Sequence, residues 1–325
     1  MKSRLKTILA ALLCPFLAEA QESASVFNFL GLPQSAHTTA LGGRNISLIE
    51  DDASLTFQNP ALLASVSDKT MNFNFLSFMQ GAKAGSTSFS RVAGERGTWG
   101  VNAQFVGYGS LTETLATGEV LGEAKALDMA LSGLYSYSLS DRWVGGAAGK
   151  FIYSKYAAYT SVALAVDLGL NYYDEDNDFS LSAVAANLGG QVKAFGERHE
   201  RLPFNLQVGF SKGVAHSPLR ISLTLTDLTR WSSKYFYNAA KEPPFGRILM
   251  NHFAVGLDLL PSNTFYLSAG YNFRRAYEMQ AAGSSHAAGL SFGAGLHLRQ
   301  FKLGLAYAKY HVSAPTLSLS LGYSL

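Results

Sequence analysis

Charge is scarce in this 325-residue chain. Asp, Glu, Lys and Arg make up 15%, against about 25% in ordinary soluble domains. Long apolar runs are scarce as well. Ser23–Gly43 and Met279–Leu298 carry no charged side chain over the length of a membrane helix. The first holds Asn28, Pro33, Gln34 and His37, and the second four glycines, Gln280 and two histidines. Neither is a spanning helix, so a bundle of membrane helices is excluded. Cysteine is nearly missing, with Cys14 alone. What the chain does have is 31 Gly, 21 Phe and 16 Tyr. So many aromatics exclude disorder and, with so little charge, point to a β protein that meets lipid.

Residues 1–20 read as a secretory signal. Lys2, Arg4 and Lys6 form a basic start, Ile8 to Leu17 an apolar core, and Ala18-Glu19-Ala20 a small-x-small cleavage site. A membrane anchor is the rival reading, but the core is too short to span, which takes ~20 residues. A lipoprotein cysteine at Cys14 would want a small residue where Leu13 stands. Cleavage after Ala20 removes the one cysteine, and with it disulfides, thiol catalysis and Cys-ligated metals. It also removes three positive charges and Glu19, taking the formal charge from +3 to +1. Nothing then calls for nucleic acid.

From about residue 70 the apolar residues alternate. Val162, Leu164, Val166, Leu168, Leu170 and Tyr172 share a face opposite Ser161, Asp167 and Asn171. Leu219, Ile221, Leu223 and Leu225 oppose Arg220, Ser222, Thr224 and Thr226. The last strand sets Leu317, Leu319, Leu321, Tyr323 and Leu325 against Ser318, Ser320, Gly322 and Ser324. This is strand periodicity. It predicts fourteen strands, at 70–78, 84–93, 97–108, 126–139, 142–155, 158–173, 178–188, 204–214, 218–228, 249–259, 263–274, 286–298, 301–310 and 315–325. Many match the ~9–11 residues of a spanning strand rather than the soluble mode of ~5–6.

Loop length sorts by parity. The even connections are tight, and the odd ones include Gly109–Lys125, Gly189–Pro203, Thr229–Leu249 and Arg275–Ser285. A soluble β-sandwich has no reason to sort its loops so. An outer-membrane barrel does, with short turns periplasmic and long loops extracellular. The expected fold is therefore an all-β membrane protein: a fourteen-stranded antiparallel outer-membrane barrel over 70–325, with apolar faces toward lipid and both termini periplasmic. Leu325 stands where a terminal aromatic is commoner, with Tyr323 on the same face.

Residues 21–69 are not strand-like. Asn59-Pro60-Ala61 reads as a helix start, with Asn as cap and Pro in the first turn. The apolar Val26, Phe27, Phe29, Leu30 and Leu32 argue against a solvated periplasmic tail and for a plug, or hatch, folded into the lumen.

This opening also carries a resemblance. Phe27-Asn28-Phe29-Leu30-Gly31-Leu32-Pro33-Gln34-Ser35-Ala36, then Ala40 to Ser47, Asp51-Asp52 and Asn59-Pro60-Ala61-Leu62-Leu63 resemble the PorQ family. These are outer-membrane barrels of the type IX secretion system of Bacteroidota, similar to PorV and more distantly to the FadL transporters. Gly149 to Ser154, Ala165 to Leu170 and Asn187-Leu188-Gly189 match the same family. The resemblance implies a fourteen-stranded barrel with an N-terminal hatch, in a cell-surface attachment complex. In it such barrels hold a PorZ-like surface protein, alongside PorU-like and PorV-like proteins that process and anchor cargo.

Other chemistry is weakly signalled. Asp174-Glu175-Asp176-Asn177-Asp178 alternates acids, but a calcium loop would want Gly and Glu where Phe179 and Ala185 stand, so a solvated turn is expected. Glu50-Asp51-Asp52 is expected to face the lumen or cap a helix rather than hold a metal. The seven histidines lack metal-ligand spacing, and no Gly-x-Ser-x-Gly motif marks a nucleophile. No cofactor is expected. The loop Thr229–Leu249 is the most distinctive surface segment. Its Arg230, Trp231, Tyr235, Phe236, Tyr237 and Phe245 either anchor the barrel in the upper membrane interface or dock an extracellular protein. Two functions follow as expectations: a non-catalytic anchor for a surface partner, or a FadL-like channel for a hydrophobic small molecule. Fold does not choose between them.

Overall fold

A computed structural model describes residues 25–78, 81–114, 117, 120–233, 243–262, 264–278, 287–309 and 315–325. The proposed signal, Cys14 and Tyr235, Phe236 and Tyr237 lie outside them. Within them fourteen antiparallel strands close into one barrel, each paired with its neighbours in sequence and the first with the last. They are β1 (Thr70–Ser77), β2 (Lys83–Ala93), β3 (Gly97–Thr114), β4 (Val120–Ser138), β5 (Trp143–Tyr156), β6 (Tyr159–Asp174), β7 (Phe179–Lys193), β8 (Asn205–Gly213), β9 (Leu219–Leu225), β10 (Phe253–Ser262), β11 (Phe265–Asn272), β12 (Leu290–Leu298), β13 (Phe301–Ala308) and β14 (Thr316–Ser324). Closure runs from Thr70 opposite Ser324 to Ser77 opposite Leu317, which leaves no open edge.

The alternation turns the barrel inside out relative to a soluble domain. Phe73, Phe105, Leu131, Leu164, Leu168, Leu305 and Leu319 are exposed on the outside, while Asn72, Asn102, Ser132, Asp167 and Ser318 are buried inside. Such an apolar exterior is suited to lipid. Aromatic rings crowd the short-turn end: Phe89 on Trp99, Trp143 on Tyr172, Phe179 by Phe210, and Phe301 on Tyr323, at 4.9–6.5 Å between centroids. Amphipathic rings favour a membrane interface. Among the described residues no helix is long and apolar enough to cross a membrane.

Several expected boundaries shift. Gly109–Lys125 is no long loop: β3 and β4 continue pairing past a bulge to Thr114 opposite Val120. Beyond the bilayer neither face must be apolar, so the alternation fades while the backbone ladder goes on. β7 likewise runs on to Lys193. The strand expected from 249 begins at Phe253, behind the helix α2 (Phe245–Asn251). The strand expected to reach 274 stops at Asn272, and α3 (Phe273–Glu278) follows.

Candidate functional site in the barrel lumen

Residues 25–66 run through the lumen and contribute much of its buried core. They contain the short helix α1 (Ala36–Ala40) and single 3-10 turns at Asn28–Gly31, Ala53–Phe57 and Pro60–Ser65. Asn59 caps the last of these. Its Oδ1 accepts the Ala61 amide at 2.9 Å, and its Nδ2 donates to the Ile46 carbonyl at 2.8 Å. The helix start expected at Asn59-Pro60-Ala61 is therefore a capped turn, of 3-10 rather than α geometry.

The wall is carved to receive this turn. Gly146 of β5 lies opposite Gly169 of β6. A Cβ on Gly146 would sit 2.3 Å from the Ala61 nitrogen, and one on Gly169 2.1 Å from Asn59 Oδ1. Only glycine permits such close approach. A second notch, Gly256 opposite Gly270, takes Leu41 and Gly42 in the same way.

Charge pins the segment at the short-turn half. His37 donates from both ring nitrogens, to Glu50 at 2.8 Å and Asp258 of β10 at 2.9 Å. Arg220 of β9 reaches Glu50 at 2.6 Å and Asp258 at 3.0 Å. Two cations thus face two carboxylates, one of each contributed by the segment and one by the wall. Tyr266 stacks on His37 at 4.0 Å between centroids. Burial opposes charge on His37, but Glu50 and Asp258 outweigh it and push its pKa up to about 10. Burial likewise opposes charge on Glu50, but His37 and Arg220 hold it well below the usual carboxylate range. Asp51 pairs with Lys302 of β13 and accepts from Ser67. Asp52 caps the turn at Ala53, with its pKa raised by burial. Glu50-Asp51-Asp52 thus meets both expectations, lumenal contact and capping. No three His, Cys, Asp or Glu among the described residues could hold a metal.

The long-loop half is apolar around Phe27, Phe29 and Leu30, which pack on Leu76, Val106, Ile152, Ala163 and Leu202. The Val26 amide bonds the Arg201 carbonyl of the β7–β8 connection. Residues 25–30 thus lie at the long-loop end, whereas Leu325 bonds Lys69 at the other. The described residues 25–69 thus cross the lumen lengthwise, with Val26 at the opposite end of the barrel from Leu325.

Three motifs that look unrelated in the sequence meet nearby. Lys150 pairs with Asp167, and Asn187 donates its amide to Asp167 and accepts from Lys150 at 3.0 Å. Asn187 holds a left-handed φ of 60° at a bulge in β7. The acidic turn after β6 is tied down locally, with Asp174 accepting from Asn177 at 3.0 Å and pairing with Arg142 at 3.5 Å.

The expected docking loop is partly helical. Trp231 packs on His252 at 4.3 Å and stacks with Phe245 at 6.4 Å. Phe245, at 69% exposure, starts α2, and Leu249 and Met250 are exposed beside it. The Arg230 amide bonds the Asp227 carbonyl. Sequence reading missed His37 and Asp258. The usable signal was a lone Asp in the alternating Leu257-Asp258-Leu259, a charge that a spanning strand must turn inward.

No family model matches the chain, and no curated protein matches it. Solved structures do. A Pseudomonas aeruginosa FadL homologue superposes with a TM-score of 0.56 at 11% identity, over 89% of this chain and 98% of its own. The Pseudomonas putida toluene transporter TodX gives 0.55 at 13%, over 90% and 98%. The monoaromatic hydrocarbon channel CymD gives 0.54 at 13%, over 92% and 99%. At such identities the likeness is one of fold, and the chain has the fold of the FadL-like outer-membrane barrels.

Proposed function

We propose that this chain is a non-catalytic outer-membrane barrel whose long-loop end holds a protein at the cell surface. The exposed stack of Trp231 and Phe245 with Leu249 and Met250 carries this reading. Aromatic and apolar groups presented beyond the strands suit a protein interface. A lumen laced by ion pairs and glycine notches suits a platform better than a conduit. The resemblance of the opening block to the PorQ family supplies the context: a type IX attachment complex, with a PorZ-like partner and PorU-like and PorV-like neighbours. Residues 1–20 would direct export, the long loops would face the outside, and the short turns the periplasm. Deleting residues 232–246 is expected to release the surface partner from detergent pull-downs while the barrel stays heat-modifiable in the membrane; undiminished co-purification would reject the reading.

A second reading is a channel for a hydrophobic small molecule, and the fold comparisons lean toward it, since TodX is a toluene transporter and CymD a hydrocarbon channel. It expects hydrocarbon uptake that is lost on deleting the gene, with no stoichiometric surface protein in the pull-down.

A further inference from the structure

Three lysines stand where the apolar exterior ends, on the long-loop side of β4 to β7. Lys125 shares the outward face of β4 with the exposed Leu127 and Met129, while Ala126 and Asp128 point inward. Lys155 shares the outward face of β5 with Phe151, while Ile152 and Ser154 point inward. Lys193 of β7 is directly opposite Val162 of β6, which alternates with the inward Ser161 and Ala163. All three lysines are therefore on the outside of the barrel, and all are exposed.

Register gathers them. Lys155 is paired with Leu127 on one side and Thr160 on the other. Lys125 is thus its diagonal neighbour on the same face, about 7–8 Å away. Lys193 donates to Thr160 Oγ1 at 2.5 Å. From β4 to β7 the patch is three strand spacings wide, roughly 14 Å. Like charges so placed repel one another. Yet no carboxylate among the described residues pairs with any of the three. Glu123, two residues farther from the apolar belt on β4, accepts from Ser110 instead.

We propose that this patch binds a phosphorylated glycolipid of the outer leaflet, with its phosphates on the lysines and its acyl chains on the belt below. Leu127, Met129, Phe151 and Leu164 give that belt an exposed apolar surface. Lysine is a point-charge partner for phosphate, and clustered lysines at a membrane surface attract anionic lipid. A headgroup with two phosphates matches the width of the patch, which a single phosphodiester does not. The proposal takes from the reading above only that the long-loop end faces outside, where such a lipid lies.

The test titrates the full mature chain, folded in dodecyl maltoside, with bisphosphorylated lipid A, the same lipid stripped of its phosphates, and phosphatidylglycerol. Native mass spectrometry counts the bound lipid. A saturable one-to-one adduct with lipid A is expected, with the stripped lipid and phosphatidylglycerol each at least tenfold weaker. The triple change Lys125→Gln, Lys155→Gln and Lys193→Gln should weaken lipid A at least tenfold. Arg91→Gln, exposed at the short-turn end of β2, should leave it unchanged. No saturable adduct with lipid A overturns the proposal. So does equal binding of either other lipid, or a heat-modifiable triple variant that binds like its parent. If the triple variant fails to fold, Lys155→Gln alone decides by the same comparison. Titration in detergent is indifferent to which end faces outside, so its failure leaves the anchor reading standing. Deleting residues 232–246 touches none of the three lysines, so the two readings fail separately.

Discussion

Asn59 joins two parts of the lumenal segment with one side chain, capping the Pro60 turn and holding the Ile46 carbonyl. Asn59→Ala removes a cap worth about 1 kcal/mol and leaves a buried carbonyl unpaired at roughly 1–3 kcal/mol. Gly146→Ala acts from the wall side. Its Cβ would fall 2.3 Å from backbone, not from a yielding side-chain tip, so overpacking of about 1–3 kcal/mol is expected. For both variants, amide exchange over residues 59–65 should quicken while exchange in the strands stays slow. Exchange unchanged in both would mean that the turn is not seated by these contacts. The cap was legible from Asn-Pro-Ala alone, because capping is local. The glycine notch was not, since Gly146 and Gly169 matter only through their register opposite each other.

At the scale of elements, the ring of His37, Glu50, Arg220 and Asp258 fastens α1 to β9 and β10. Its pH dependence has a defined sign. His37 is raised from 6.5 to about 10. Its contribution is complete below 6.5 and is lost as pH climbs through about 10. Glu50 is lowered from 4.5. Its contribution is complete above 4.5 and is lost as pH falls toward its depressed value. The segment should therefore be most firmly seated between pH 4.5 and 6.5. Limited proteolysis within residues 25–69 should be slowest there and quicken toward pH 10. His37→Ala strands two carboxylates with one guanidinium, at a cost of about 3–5 kcal/mol, and should abolish the alkaline trend. A flat profile for the unaltered chain would disprove the latch. Alternation revealed the strands because lipid on one side and polar lumen on the other constrain every second residue. It failed where that constraint ends, in the outer half of the β3–β4 hairpin and at α2 and α3. The latch was hidden for another reason: His37 and Asp258 are 221 residues apart, and nothing local to either names the other.

The whole molecule depends on which solvent faces its exposed leucines. Leu305 lies mid-strand in β13 with its side chain outward, beside the inward Ala306. In water an exposed Leu→Arg change is nearly neutral, within about 0.5 kcal/mol. In a bilayer an arginine near the midplane of a barrel's outer face costs ~2–4 kcal/mol, falling to ~0–1 near the interfaces. Leu305→Arg and Leu298→Arg, the latter at the short-turn end of β12, separate these cases by their difference. Reversible guanidinium titration of the chain folded into phospholipid vesicles should show the Leu305 variant losing at least 2 kcal/mol and the Leu298 variant less than half as much. Equal and negligible losses would place both side chains in water. The closed strand order would then be a lidded soluble barrel, and a role for the long loops at a cell surface would lose its physical basis.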